Sequence, residues 1–264
     1  MGREHKMNVS EQVRAHHAVL VSDLERAAAF AVAGERVGKL PPDTELPPVD
    51  LLVRFGDDAA FSDTWQQFSS YCARYSVLVM MTACEYYVGQ LLFVARVARH
   101  VSETHQTMPV EEFWKIAEEC QQELRHMSPK QVVEKTFALL KRDRRDVAGL
   151  AWFDSLYQLR KCLVHRKGQV GVEDGGPEGE LRVIWRKVTP IVDDEPITSR
   201  SRTFEKGSRL GVMFEEQVRS WKVGEAIDLT VGDCQGIALS LFLFSKEFSD
   251  QVHAGLREFV PLGP

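Results

Sequence analysis

Between Arg74 and Arg96 the chain carries one charged residue, Glu85. A run this long and apolar either crosses a membrane or becomes a helix buried on all sides. Glu85 sits mid-run, and Tyr75, Ser76, Thr82, Tyr86, Tyr87, Gly89 and Gln90 share the segment. A carboxylate and several polar groups at that depth are costly in lipid. The run therefore reads as a core helix around which the rest of the chain must pack.

The chain has enough material for that packing. Its 264 residues are 44% hydrophobic and 27% charged. These values suit one large domain, or a domain with an appended subdomain. The net charge of −5 excludes a chain built overall to coat nucleic acid or an anionic membrane, so any nucleic-acid contact needs a local basic patch. The five cysteines, 72, 84, 120, 162 and 234, are widely spaced without a C-x-x-C pair. They read as buried thiols of a cytoplasmic protein, with no metal-ligand spacing. The opening Met-Gly-Arg-Glu-His-Lys leads into no apolar run, so no signal peptide is expected. No phosphate-loop, dinucleotide, zinc-protease or nucleophile-elbow motif occurs, and no cofactor is expected.

The periodicity predicts a helix over 9–33, broken by Gly34 and Gly38. His16 and His17 are expected as solvated polar residues on it. Four prolines in 39–50 predict a linker. A long helical stretch follows from about Asp58 to Ser102, with a possible break at Ser69 and Ser70. Pro109-Val-Glu-Glu opens a helix to about His126, and Ser128-Pro129 another to about Lys141. Residues 141–146 form a charged connection to a helix over 150–165. Then the pattern changes. Residues 167–180 are glycine-rich, and Leu181–Val188, Leu210–Val218 and Val223–Leu229 alternate like strands. Asp193–Gly207 reads as a polar, mobile connection. Thr230-Val-Gly-Asp233 matches a capping box that opens a last apolar helix to about Phe259.

The 150–165 helix carries the chemistry. Trp152, Phe153, Leu156, Leu159, Leu163 and Val164 fall on one face. Arg160 falls within that face, about 40° from Leu156 at about 100° per residue. Arginine does not shed its proton, so a buried one requires a partner or a function. Glu85, the sole charge of the other core helix, is the economical partner. Such a pair either locks the helices together or orients the Arg160 fork toward a phosphate. His165 lies about 140° from Arg160 around the helix. Convergence of the two needs a helix end at His165 or a second copy across a dimer axis. Lys161 shares a face with His165 at i, i+4 and is expected to lower its pKa by like-charge repulsion. Residues 160–167, Arg-Lys-Cys-Leu-Val-His-Arg-Lys, form a basic patch without an acid. Arg144, Arg145, Arg182, Arg186 and Lys187 are candidates to extend it. A basic helix terminus complementing the dipole is the plainer reading of the same charges.

The segment Leu159-Arg160 through His165, followed by Gly168, resembles the R-x-x-x-x-H signature of HEPN domains, which are helical nucleotide- and RNA-binding domains of toxins and antiviral systems. Ala83-Cys-Glu85-Tyr-Tyr87 is similar to the acidic-aromatic helix of that family. The resemblance covers roughly residues 60–168 and 230–258. It implies a metal-independent endoribonuclease whose two motifs face each other across a homodimer. His165 is then general base or acid, Arg160 stabilises the phosphorane, and Glu85 holds Arg160. Lys161, Arg166 and Lys167 are the implied substrate-binding residues. The family usually carries asparagine or another small polar residue where this chain has Lys161, and some members are non-catalytic.

The expected architecture is mainly α. It is a HEPN-like helical bundle over 1–166, a loop and small antiparallel β insertion over 167–230, and a C-terminal helix over 231–264 that completes the bundle. The expected function is an endoribonuclease acting as a toxin or antiviral effector. Its expected partners are RNA, a second copy and an antitoxin or regulatory protein, without a membrane. The alternatives are a non-catalytic module that binds RNA, a nucleotide or a protein, and a helical scaffold locked by Arg160 and Glu85.

Overall fold

The computed structural model describes residues 9–39, 58–104, 108–142, 147, 149–193, 195–196 and 209–259. Among them the protein is mainly helical, with a small antiparallel sheet before the last helix. The order is α1 (Val9–Gly38), α2 (Asp58–Thr104), α3 (Val110–Leu124), α4 (Pro129–Leu139), α5 (Leu150–His165), β1 (Glu180–Val192), β2 (Glu195–Pro196), β3 (Leu210–Lys222) and α6 (Val231–Phe259). The proline-rich 40–50 segment, most of Asp193–Gly207, and Arg144 and Arg145 lie outside the described residues.

The chain forms two compact units. One comprises 1–25, 79–157 and 240–264, the other 26–78 and 158–239. The first is built on the apolar run of α2. Met80, Met81, Cys84, Leu91 and Leu92 are fully buried, as expected for a core helix. The segment Gln67–Thr104 is long and apolar enough to cross a membrane, yet 56% of its most apolar window is buried inside the protein. The Tyr87 hydroxyl donates to the Ser245 carbonyl at 3.2 Å, tying α2 to α6. Phe153 of α5 stacks on Phe244 with ring centres 4.4 Å apart, and Phe137 of α4 meets Phe248 edge-on at 5.4 Å. Helix α4 begins as its sequence requires. Gln131 N–H donates to the Ser128 hydroxyl while Ser128 N–H donates to Gln131 Oε1, a reciprocal cap that uses two of the free amides of the first turn.

Helix α1 runs through Gly34 to Gly38 rather than stopping at residue 33. A Cβ at Gly34 would lie 2.3 Å from Cys72 Cβ, so this glycine lets α2 approach α1 instead of ending the helix. Helix α2 is continuous at Ser69 and Ser70, where the Ser70 carbonyl accepts Arg74 Nε–H at 3.4 Å. His17 is half-buried rather than solvated. Its ring lies 5.9 Å from Tyr87 and 6.0 Å from Phe242, with Nε2 3.3 Å from the Ser245 hydroxyl. Burial lowers its pKa below the usual histidine value.

The second unit contains the sheet. Strands β1 and β3 form an antiparallel ribbon, pairing from Glu180↔Lys222 to Val192↔Leu210, and the two-residue β2 pairs with β1 at Ile191 and Val192. The alternation buries Leu181, Val183 and Trp185 on one side. The third expected strand, Val223–Leu229, is not a strand. The chain turns at Gly224 and makes one isolated bridge, Gln169↔Ala226. Beyond it the expected capping box is present. Thr230 N–H donates to Asp233 Oδ2 at 2.8 Å, and Asp233 N–H to the Thr230 hydroxyl at 3.1 Å. Arg219 ties this cap to β3 through Asp233 at 2.6 Å and Asp228 at 3.0 Å.

Candidate functional site at the end of helix α5

Helix α5 points its apolar stripe inward: Phe153, Leu156, Leu159, Cys162 and Leu163 are buried. Arg160 sits beside that stripe, half-buried, with its Nε shielded from solvent. Lys161 is also half-buried and donates only weakly to Gln158 Oε1 at 3.5 Å. Val164 and His165 are exposed, so the imidazole stands at the solvent end of the helix.

The helix stops there by a left-handed turn. Lys167 has φ 54° and Gly168 φ 82°, and the amides of both Arg166 and Gly168 donate to the Cys162 carbonyl. Glycine is the natural residue at such a closing position, whereas Lys167 adopts the left-handed conformation against its Cβ sterics. The turn is then held from the other side. Ile227 N–H donates to the Gly168 carbonyl at 2.7 Å, and Val170 exchanges bonds with Glu225 and Gly224 at 2.9 and 2.8 Å. The exposed end of α5 is thus fixed on a rigid base.

Of the expected substrate-binding residues, Arg166 has a different local task. Its Nη1 donates to Asp174 Oδ1 at 2.7 Å and its Nη2 to Glu173 Oε2 at 2.5 Å. It closes the 171–174 loop, a role that no acid within 160–167 announces. Cys162, inside the motif, is a buried thiol donating to the Gln169 carbonyl at 3.3 Å. Burial and the nearby Asp174 push its pKa up to about 12, so it stays protonated and unreactive at neutral pH. His165 and Lys167 are exposed at the helix end. Arg182 and Lys187 are exposed along β1.

Arg74 of α2 joins this end of the unit and was missed as a candidate. Its Nη1 lies 3.2 Å from where a Cβ on Gly168 would sit, beside Leu163. Its guanidinium lies over the Tyr71 ring, 4.8 Å from the centroid. In the sequence it only bounds the apolar run, and no local signal links it to a turn far along the chain.

Glu85 belongs to the other compact unit. Its Oε1 is shielded from solvent. It lines a cleft of about 580 Å³ together with Tyr86, Gln90, Cys120, Gln121 and Tyr157. Beside this cleft Glu123 accepts from Arg96 at 2.5 Å and from Lys135, and the Arg96 bond with that of Lys135 holds its pKa at about 2. Among the described residues, no group of three or more histidine, cysteine or acidic side chains is placed to hold a metal ion. No protein-family model, curated protein or solved structure matches this chain.

Proposed function

We propose that this protein is a HEPN-type endoribonuclease that works without a metal, as a toxin or antiviral effector, with its active site at a homodimer interface. The observation that carries the reading is the end of α5. An exposed His165 closes the helix, a half-buried Arg160 sits one turn before it, and a left-handed turn at Gly168 follows. In this scheme His165 of one copy takes the proton of an RNA 2′-hydroxyl. The 2′ oxygen bonds to the adjacent phosphorus as the bond to the 5′ oxygen breaks, and that oxygen leaves with a proton. Arg160 neutralises the charge that builds on the phosphoryl oxygens. Lys161 and Lys167 hold flanking phosphates. A two-fold axis supplies the convergence that one helix cannot, since Arg160 and His165 diverge by about 140°. Free, buried cysteines support a cytoplasmic setting.

The test is expression of the wild-type chain and His165→Ala, with cleavage of labelled RNA read on a gel in chelator. Growth arrest and cleavage by the wild type, both lost in a folded His165→Ala protein, support the reading. Cleavage that survives the substitution sinks it. A second reading, binding without cutting, is favoured by Lys161. A lysine there keeps a phosphate contact while departing from the residue usual in nucleases, and it predicts a gel shift with intact RNA.

A further inference from the structure

We infer that Tyr71, Arg74 and Tyr75 of α2 form a track for single-stranded RNA that leads to the end of α5, an inference that rests on the ribonuclease reading above. The three residues stand at i, i+3 and i+4 and therefore share one helix face. Tyr71 and Tyr75 are 57% and 59% exposed. Their hydroxyls take no partner among the described residues. The Tyr75 ring meets Phe30 edge-on at 5.8 Å, and Phe30 is itself 47% exposed. Large rings held this way against each other, yet open to solvent, offer flat faces at little further cost in side-chain entropy.

Charge decides what those faces receive. The protein is net acidic, and several of its arginines are engaged by acids: Arg96 by Glu123, Arg166 by Asp174, Arg219 by Asp233. Arg74 instead spends its guanidinium on the Tyr71 ring and the Ser70 carbonyl. Among the described residues, none of Arg74, Lys161, His165 and Lys167 has a carboxylate partner. Arg74 reaches the Gly168 turn, so the aromatic face and the basic helix end are continuous. Cations tracking a phosphate backbone beside aromatic rings that stack on unpaired bases are the physical signature of a single-strand site.

The test measures anisotropy with a labelled oligouridine of about 12 nucleotides, alone and as a duplex with oligoadenosine, in the His165→Ala protein to prevent cutting. Tyr71→Ala and Tyr75→Ala should each weaken single-strand binding about five- to tenfold and leave duplex binding unchanged. Tyr71→Phe should bind as the parent does. Arg74→Gln should reduce the salt slope by about one. Alanine variants that bind like the parent overturn the track. So does an equal loss on single strand and duplex, or a change confined to the molar mass by light scattering, which would make the patch a protein contact. A parent that binds no single strand also overturns it. The two readings fail separately. Tyrosine-dependent binding by a wild-type protein that never cuts removes the nuclease and keeps the track. Wild-type cleavage that is unaffected in the tyrosine variants removes the track and keeps the nuclease.

Discussion

Arg166 Nη1 donates to Asp174 Oδ1 at 2.7 Å, and the Asp174 side chain is only 4% exposed. Asp174 also accepts the Gly171 amide at 2.9 Å. Arg166→Ala leaves a nearly buried carboxylate short of its charged partner, so thermal unfolding should move to lower temperature. Asp174→Asn with Arg166→Ala should lose less than the sum of the single changes. Additive losses would show that the pair does not couple.

Gly236 of α6 packs against β1 without room for a methyl group. An added Cβ would lie 2.6 Å from Trp185 Cδ1 and 2.8 Å from the Arg186 carbonyl oxygen. The Trp185 side chain is fully buried and the second obstacle is backbone, so neither yields easily. Gly236→Ala should destabilise by about 1–3 kcal/mol in a denaturant titration, although alanine is the better helix former.

His17 links pH to stability. Its folded pKa is lowered from 6.5, first by burial and then by Lys246. The unfolded chain therefore binds the proton more readily than the native one. The contribution is fully present above pH 6.5 and is lost as pH falls below it. His17→Gln should flatten the melting temperature profile over that range. An unchanged acid slope would place the titration elsewhere, with His253 the next candidate because burial lowers it too.

Glu123 acts at lower pH. Its folded value of about 2 lies below the ordinary 4.5. Its contribution is present above 4.5 and disappears as pH falls toward 2. The carboxylate is 38% exposed, so solvent screens the pair. Glu123→Gln should cost about 0.5–1 kcal/mol at neutral pH and nothing at pH near 2. Equal losses at both pH values would refute an ionic origin.

The proposed active site makes a sharper demand. His165 is exposed, so His165→Ala should change stability by less than about 0.5 kcal/mol while slowing RNA cleavage by roughly 10²–10⁴. Arg160→Lys keeps the charge and loses the planar fork. It should reduce cleavage more than RNA binding, measured side by side on one substrate.

The core was legible because periodicity reports burial directly. Leu156, Leu159, Leu181 and Trp185 lie inward where their spacing places them. The caps at Ser128 and Thr230 were legible because they depend on neighbours within three residues. What escaped depends on distant residues. Gly34 looks like a helix end until Cys72 is seen against it. His17 looks solvated until Tyr87 and Phe242 arrive. Arg166 looks like a free cation because Asp174 follows only after the turn. Val223–Leu229 has strand composition, but no neighbouring strand takes its hydrogen bonds and it makes one bridge.

The contact between His17 and Ser245 spans 228 positions, and that between Tyr87 and Ser245 spans 158. Closing such loops costs entropy that only the finished packing returns, which makes folding slow relative to local helix formation. During synthesis the surfaces around His17 and Tyr87 that meet Ser245 wait, uncovered, until α6 has left the ribosome. A chain ended before residue 240 lacks these partners and should be more prone to aggregation and proteolysis than the full chain, as a protease digest of the two would show.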